Sequence, residues 1–185
     1  MENLGLINLN YNKSICKKMV DTNYTLTAVA PKEGPSVSVL GDTYRIVVGG
    51  EQTNGVYALI DMLIPPKGGP GPHSHATFQE AFYILDGEIK VITKEKIYTA
   101  TKSSYVNIPF DGPVHKFTNE TGKVAHIVCI TTPAGMEKMF LELGKPVAAG
   151  TLLPIPQMTL EKLKRLQSIA EKYEQKLYPP DYFDH

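Results

Sequence analysis

Short β-rich runs, each ended by glycine or proline, are the feature that most restricts the fold of this chain. The loop 67–72 contains three glycines and two prolines, which excludes a helix and a central strand there. Many short strands separated by such turns are typical of a β-sandwich or β-barrel, so we predict an all-β fold. The predicted strands are Thr43–Val48, Val56–Ile64, His73–Thr77, Glu80–Leu85, Ile89–Thr93, Tyr105–Ile108, Val114–Thr118 and Ala125–Thr132.

The end of the chain has a helical pattern instead. Apolar residues recur at helical spacing over 136–143, and Gly144 stands where a helix would stop. A second apolar stripe over 160–177 predicts a long helix with Thr159 as its N-cap. We expect both helices to pack on the outside of the barrel or on a partner subunit.

These patterns divide the 185 residues into three parts. We predict an N-terminal arm over 1–40, a β-barrel over 41–134 and a C-terminal helical extension over 135–185. The arm and the exposed edges of the strands favour a two-fold homodimer.

Charge and apolar patterning exclude several classes of partner. Lys+Arg and Asp+Glu both count 19, and no basic tract suggests nucleic acid. No apolar run is long enough to span a bilayer and no lipidation signal is present, so we expect no membrane partner. Without a secretory signal pattern, a cytoplasmic location is the default. Two cysteines are too few for a disulfide framework, and Cys129, in an apolar run, is interpreted as a small buried hydrophobe.

Three histidines and one glutamate have a spacing that is typical of metal ligands. His73 and His75 are two residues apart on a predicted strand, so their imidazoles project from the same face. Glu80 begins the next strand after a short turn, and His115 starts another strand after a tight turn. Three neutral imidazoles and one carboxylate suit a divalent transition ion and leave coordination positions open, as in a catalytic site. We therefore predict one divalent metal ion per chain, held by these four residues.

The same residues resemble the two motifs of the cupin superfamily. The first motif pairs His-x-His with a glutamate and then a glycine, here His73-Ser74-His75, Glu80 and Gly87. The second has glycine, histidine and asparagine, here Gly112, His115 and Asn119. Two turn positions depart from the pattern, since Lys67 and Ser103 stand where the motifs usually open with glycine.

The resemblance extends over about residues 40–180 to single-domain cupins related to bacterial quercetin 2,3-dioxygenase. It implies a double-stranded β-helix, or jelly-roll barrel, that is often dimeric. In that family the four ligands hold Fe, Mn, Ni, Co, Cu or Zn, and the glutamate can act as a base toward a substrate hydroxyl. This resemblance assigns Glu80 as the catalytic residue.

Apolar side chains beside the predicted ligands indicate a pocket for a small-molecule substrate. Strand alternation puts Phe82 and Ile84 on the face of Glu80, and Phe117 on the face of His115. His126 is interpreted as an ordinary surface histidine, or alternatively as lining this pocket or supporting the site. The remaining predicted contacts, which would close the mouth of the barrel as a lid or simply pack as a helix, are Met136, Met139 and Phe140.

Three functions remain open at this point. The first is a metal-dependent dioxygenase acting on a phenolic or enolisable substrate, with Glu80 as the base. The second is a metal-dependent isomerase or lyase, with Glu80 or His126 as proton carrier. No Lys or Arg adjoins the ligand motifs to hold a phosphate, since Lys116 should turn outward by alternation. The third is a non-catalytic protein that binds a small ligand.

Overall fold

A computed structural model describes residues 26–184 of the chain. Most of the arm predicted for 1–40 lies outside these residues, and so does His185. The described end of the arm includes a strand, Ser36–Val39, that pairs with the next strand of the barrel. The boundaries of the three predicted parts stay a prediction.

The described residues form antiparallel sheets followed by two helices. The strands are β1 Ser36–Val39, β2 Asp42–Val48, β3 Ala58–Ile64, β4 His73–His75, β5 Gln79–Asp86, β6 Glu88–Ile92, β7 Ile97–Thr101, β8 Tyr105–Ile108, β9 Lys116–Thr118, β10 Ala125–Thr132, β11 Lys145–Pro146 and β12 Gln175–Leu177. The largest sheet has seven strands in the order β11-β1-β2-β3-β10-β5-β8, a second has the order β7-β6-β9, and β12 pairs with β4.

The core lies between the seven-stranded and three-stranded sheets. Strand β3 alternates buried and half-buried residues along its whole length, which is the pattern of a sheet with one face in the core. Phe82 on β5 meets Phe117 on β9 edge to face, with ring centroids 5.1 Å apart, and so joins the two sheets. The large apolar area that these inward faces remove from water is the main stabilising contribution to the barrel.

Two helices follow the barrel. Helix α1, Met136–Leu143, ends at Gly144 as predicted. Helix α2, Leu160–Lys172, begins at Thr159, whose hydroxyl accepts a hydrogen bond from the backbone N–H of Lys162 at 3.3 Å.

The prediction that the second helix continues to Leu177 is wrong. The chain reverses at Glu174, which has a φ of 58°, and residues 175–177 form strand β12. Leu177, the apolar residue of this segment, lies in a strand because β4 offers an edge for backbone hydrogen bonds. The C-terminal segment thus returns to the barrel and packs on the strand that carries His73 and His75.

The prediction of an all-β jelly-roll barrel with C-terminal helices is confirmed by this arrangement. Among the described helices, none is long and apolar enough to cross a membrane.

Candidate metal centre

Strand β4 is the structural base of the site. It carries His73 and His75 on its buried face and is bounded on both edges. On one edge His73 exchanges two backbone hydrogen bonds with His115, each 2.9 Å long. On the other edge β12 pairs directly, with Gln175 opposite His75 and Leu177 opposite His73. These backbone hydrogen bonds therefore fix the relative positions of the main-chain atoms of all three histidines.

Each imidazole is oriented by a carbonyl oxygen close to it in the chain. Nδ1 of His73 lies 2.9 Å from the oxygen of Gly71, and Nδ1 of His115 lies 3.0 Å from that of Pro113. Nδ1 of His75 lies 2.8 Å from the oxygen of Phe78. Because a carbonyl oxygen can only accept, each Nδ1 carries a proton, which leaves Nε2 as the ring atom that can donate a lone pair to a metal.

Glu80 faces these lone pairs from strand β5. Its Oε2 atom lies 3.7 Å from Nε2 of His75 and 3.8 Å from Nε2 of His115. Both Nε2 atoms are buried and have no hydrogen-bond partner among the described residues. Buried polar atoms without a partner are costly, about 1–3 kcal/mol each, so an arrangement that leaves two together indicates a missing ligand.

Burial and mutual proximity determine the charge of the cluster. Burial, with His115 nearby, lowers the pKa of His73 to about 4, so this imidazole is neutral at pH 7. Burial alone would raise the pKa of Glu80, but the nearby imidazoles of His115, His75 and His73 outweigh burial and hold this pKa well below its usual range. Neutral imidazole and ionised carboxylate are the forms that bind a metal.

The four side chains fit a divalent ion. One ligand atom from each of His73, His75, Glu80 and His115 can be chosen so that all four lie within 4.8 Å of one another. Ligand atoms about 2.0–2.2 Å from a common ion lie roughly 3–4 Å apart, so modest inward rotations would complete the coordination. A buried group of this composition could hold a metal ion, as the sequence predicts, and its donors accept most first-row divalent ions.

Asn119 locks the loop before His73 against the strand after His115. Its side-chain amide donates to the backbone oxygens of Ile64, at 2.8 Å, and Lys123, at 2.7 Å. Its own backbone accepts from the N–H of Lys67 and donates to the oxygen of Gly68. The asparagine of the second motif is therefore structural, and it fixes the relative positions of the two histidine-bearing segments.

The predicted substrate-contacting aromatic and aliphatic side chains lie in the barrel interior. Phe82, Ile84 and Phe117 are all buried, on the faces predicted for them. Of the predicted lid residues on α1, Phe140 stacks on Tyr44 with centroids 4.2 Å apart, and Met136 and Met139 are buried as well. Contact of these side chains with a substrate stays a prediction.

His126 lies on the opposite face of the sheet, so the expectation that it lines or supports the site is wrong. Strand β10 buries residues 125, 127, 129 and 131, and alternation turns His126 outward. There its ring pairs with the carboxylate of Asp61, which also receives two hydrogen bonds from Arg45. His126 belongs to an ion-pair network on the outside of the barrel.

Four residues near the cluster make contacts that the sequence analysis did not predict. Phe78 stacks on His75 with ring centroids 4.1 Å apart and also accepts the Nδ1 hydrogen bond described above. Gln175 is buried beside His75 in the β4–β12 pair, with a weak contact to Met136. Thr131 lies opposite Glu80 with its hydroxyl unpartnered among the described residues. Cys129 is buried as predicted, but its thiol contacts Glu80.

Two of these four residues, Cys129 and Thr131, gave a usable signal in the sequence. Inward alternation along β10 would have placed Cys129 and Thr131 on one face with the strand's apolar residues. Nothing local identifies Gln175, because its position depends on a strand pairing 100 residues away in the chain.

Comparison with known proteins agrees with this geometry. Residues 60–131 match a family described as the cupin domain, and this stretch contains all four members of the cluster. No curated protein matches the chain in sequence.

Solved structures with similar folds are distant in sequence. KdgF from Halomonas sp. superposes with a TM-score of 0.54 at 13% identity, covering 62% of this chain and 99% of that one. The polyketide cyclase RemF from Streptomyces resistomycificus gives 0.52 at 12% identity, covering 81% of this chain and 99% of that one. An RmlC-like cupin from Shewanella frigidimarina gives 0.52 at 11% identity, covering 62% and 96%. At these identities the likeness concerns the fold alone.

Proposed function

We propose that this chain, whose residues 60–131 match the cupin domain family, is a metal-dependent enzyme acting on a small phenolic or enolisable substrate. The observation that carries the proposal is the pair of buried, unpartnered Nε2 atoms of His75 and His115 facing the Glu80 carboxylate. The residues that would hold one divalent transition ion are His73, His75, Glu80 and His115.

The ligand residues and their neighbours have separate roles in this proposal. A bound divalent ion would supply Lewis acidity and lower the pKa of a substrate hydroxyl. Glu80, ionised at neutral pH, would accept the hydroxyl proton as a general base. The apolar interior around Phe82, Ile84 and Phe117 would hold the carbon skeleton and exclude water.

The position of the nearest lysine in the chain supports an uncharged substrate. Lys116 follows His115 directly, but its Nζ atom lies 5.5 Å from the ring centroid of Phe183, on the outside of the barrel. A phosphate needs a cation or several N–H groups aimed at it, and this neighbour does not supply one. The proposed substrate therefore binds through hydroxyl or carbonyl oxygens.

The proposed reaction is a dioxygenation, with O₂ as co-substrate, as in the quercetinase-like proteins that the sequence resembles. The alternative is an isomerase or lyase reaction at the same centre with no oxygen consumed. Oxygen uptake by the metal-loaded protein with a panel of flavonols and other enolisable phenols separates the two. Uptake above the metal-free control supports the dioxygenase, whereas turnover under argon at an equal rate supports the isomerase or lyase. Binding of a substrate without any turnover would identify a ligand-binding protein instead.

Metal content is the first test of the proposal. The full chain, loaded with a divalent ion and desalted, should retain about one ion per chain by plasma mass spectrometry. His75→Ala should lose the ion, whereas His126→Ala, which removes a histidine on the outer face, should keep it. Equal metal content in the two variants would refute the proposed site.

A homodimer and a cytoplasmic location complete the proposal. Support for the dimer comes from apolar side chains that remain exposed on the outer face of the large sheet, including Tyr83, Tyr105 and Ile130. Light scattering coupled to size-exclusion chromatography should give a mass near twice 20.4 kDa.

A further inference from the structure

A buried thiol lies directly against the glutamate of the cluster. The Sγ atom of Cys129, on β10, is 3.3 Å from Oε1 of Glu80, on β5. Cys129 is fully buried and Glu80 is 3% exposed, so no water competes for this contact. A carboxylate can only accept, and therefore the thiol is the donor.

The two carboxylate oxygens of Glu80 have different surroundings. Oε2 faces the Nε2 atoms of His75 and His115, which are buried and unpartnered among the described residues. Oε1 instead contacts the thiol of Cys129, which is its hydrogen-bond donor in the described part of the chain. One carboxylate oxygen thus faces two imidazoles, and the other is held by the thiol.

We infer that Cys129 is a positioning residue that holds Oε1 of Glu80 away from the centre, so that the carboxylate offers only one oxygen to a bound metal. The inference rests on the proposed metal site. A carboxylate free to rotate could bind an ion through both oxygens and occupy a position that a substrate needs.

A purely structural role for Cys129 as core filling predicts different behaviour. Filling requires volume but no donor, so alanine and serine would be nearly equivalent there. Positioning requires a donor, so serine would restore what alanine loses. The pair Cys129→Ala and Cys129→Ser therefore separates the two roles, and Ile127→Val, on the same buried face two residues away, controls for a small loss of core volume.

The experiment uses the full chain reconstituted with Co(II), a probe whose visible spectrum reports coordination number and geometry. Affinity is measured by competition with a chelator of known strength. We expect Cys129→Ala to lose about tenfold in Co(II) affinity, as for other residues that support a ligand, and to show an altered visible spectrum. Cys129→Ser and Ile127→Val should keep the wild-type spectrum and an affinity close to the wild-type value.

Two results would overturn the inference. One is Cys129→Ala with the spectrum and affinity of the wild type, and the other is Cys129→Ser impaired as much as Cys129→Ala. If the alanine variant does not fold, Cys129→Val, which restores volume without a donor, replaces it in the comparison with serine. Wild-type protein that binds no Co(II) would refute the metal site itself, whereas normal binding with indistinguishable variants refutes only the role of the thiol.

Discussion

At the scale of single residues, backbone angles show why two motif positions usually carry glycine. Lys67 and Ser103 stand at those positions, and both adopt left-handed conformations, with φ of 67° and 70°. A residue with a Cβ atom pays about 1–2 kcal/mol in this region, whereas glycine adopts it freely. The turns keep the geometry of the motif, and the chain carries local strain at both positions.

The strain at Ser103 gives a test of this account. Its side chain is exposed, so Ser103→Gly should remove the strain at the cost of a more flexible unfolded chain. The expected net gain in the free energy of unfolding is about 0.5–1 kcal/mol. Lys102→Gly, at an exposed neighbour without a positive φ, should instead lower stability by a similar amount. Urea unfolding measures both, and a Ser103→Gly variant as unstable as Lys102→Gly would contradict the prediction.

Asp42 makes stability depend on pH. Its buried carboxylate accepts hydrogen bonds from the hydroxyl of Tyr44 and the N–H of Gly69, which ties β2 to the loop before His73. Burial outweighs these two hydrogen bonds and raises the pKa of Asp42 from 3.8 to about 7. Between these values the folded chain retains a proton that the unfolded chain has released. Protonated Asp42 therefore makes its full contribution to the free energy of unfolding below about pH 4, and this contribution is lost as the pH rises to about 7.

Replacing Asp42 with asparagine should remove this contribution. The difference in unfolding free energy between wild type and Asp42→Asn should change by as much as about 4 kcal/mol between pH 4 and 7, with the wild type falling relative to the variant. Urea titrations in the presence of a chelator, so that no metal contributes, measure both proteins across this range. Asp86→Asn, which removes one exposed carboxylate, controls for net charge. Parallel curves for wild type and Asp42→Asn would refute the assignment.

At the scale of elements, the alternation of apolar and polar residues predicted the strands that have one buried face. It failed for segments whose structure depends on pairing with a distant strand. Strand β8 and strand β10 have the predicted bounds, since alternation of buried and exposed side chains is visible in their sequences. Strand β7 was missed because it is a sheet edge with one buried residue, Ala100, and so has no alternating pattern. Leu177 continues the helical apolar stripe in sequence, yet residues 175–177 pair with β4.

The candidate site likewise has features that local sequence predicts and features that depend on the pairing of distant strands. His-x-His on one strand, a glutamate after a short turn and a histidine after a tight turn predicted the cluster, since strand alternation and turn position depend on neighbours in the chain. Alternation along β10 also predicts the outward direction of His126, which agrees with its interpretation as a surface histidine. The contacts of Glu80 with Cys129 and of His75 with Gln175 depend on the register between distant strands, which no local pattern specifies.

Strand β12 covers one edge of the strand that carries two proposed ligands, and this gives a prediction about access. The ligand side chains are buried, so an ion must enter when a covering element moves. Ser74 and Lys176 are directly opposite each other in the β4–β12 pair, a separation that a disulfide can bridge. In the double variant Ser74→Cys/Lys176→Cys, oxidation should slow Co(II) uptake by the metal-free protein at least about tenfold, if movement of β12 is the entry step.

The measurement follows the Co(II) absorbance after rapid mixing. Reduction with a phosphine should restore the wild-type rate in the double variant, and the single variant Ser74→Cys should be unaffected by oxidation. Equal uptake rates for the oxidised and reduced forms would show that the ion enters by another path, with β12 in place.

At the scale of the whole molecule, a buried polar cluster inside an apolar barrel couples metal binding to folding. Without an ion, the folded chain bears the cost of the unpartnered Nε2 atoms of His75 and His115, which water satisfies in the unfolded chain. An ion that binds the folded chain alone removes this cost. The barrel should therefore be more stable in the presence of metal, and the effect should require all parts of the fold that bring β4, β5 and His115 together.

Thermal unfolding tests this coupling. At a free Co(II) concentration a hundred times the dissociation constant, the free energy of unfolding should rise by about 2.7 kcal/mol, with a matching rise in Tm. His115→Ala should remove the increase, because the ion loses one of its four proposed ligands. The metal-free variant should still form the barrel, since the substitution also removes a buried nitrogen that lacks a hydrogen-bond partner. His126→Ala should show the full increase, since its ring lies on the outer face and pairs with Asp61. An equal response to Co(II) in the two variants would mean that the ion acts at some other place on the chain.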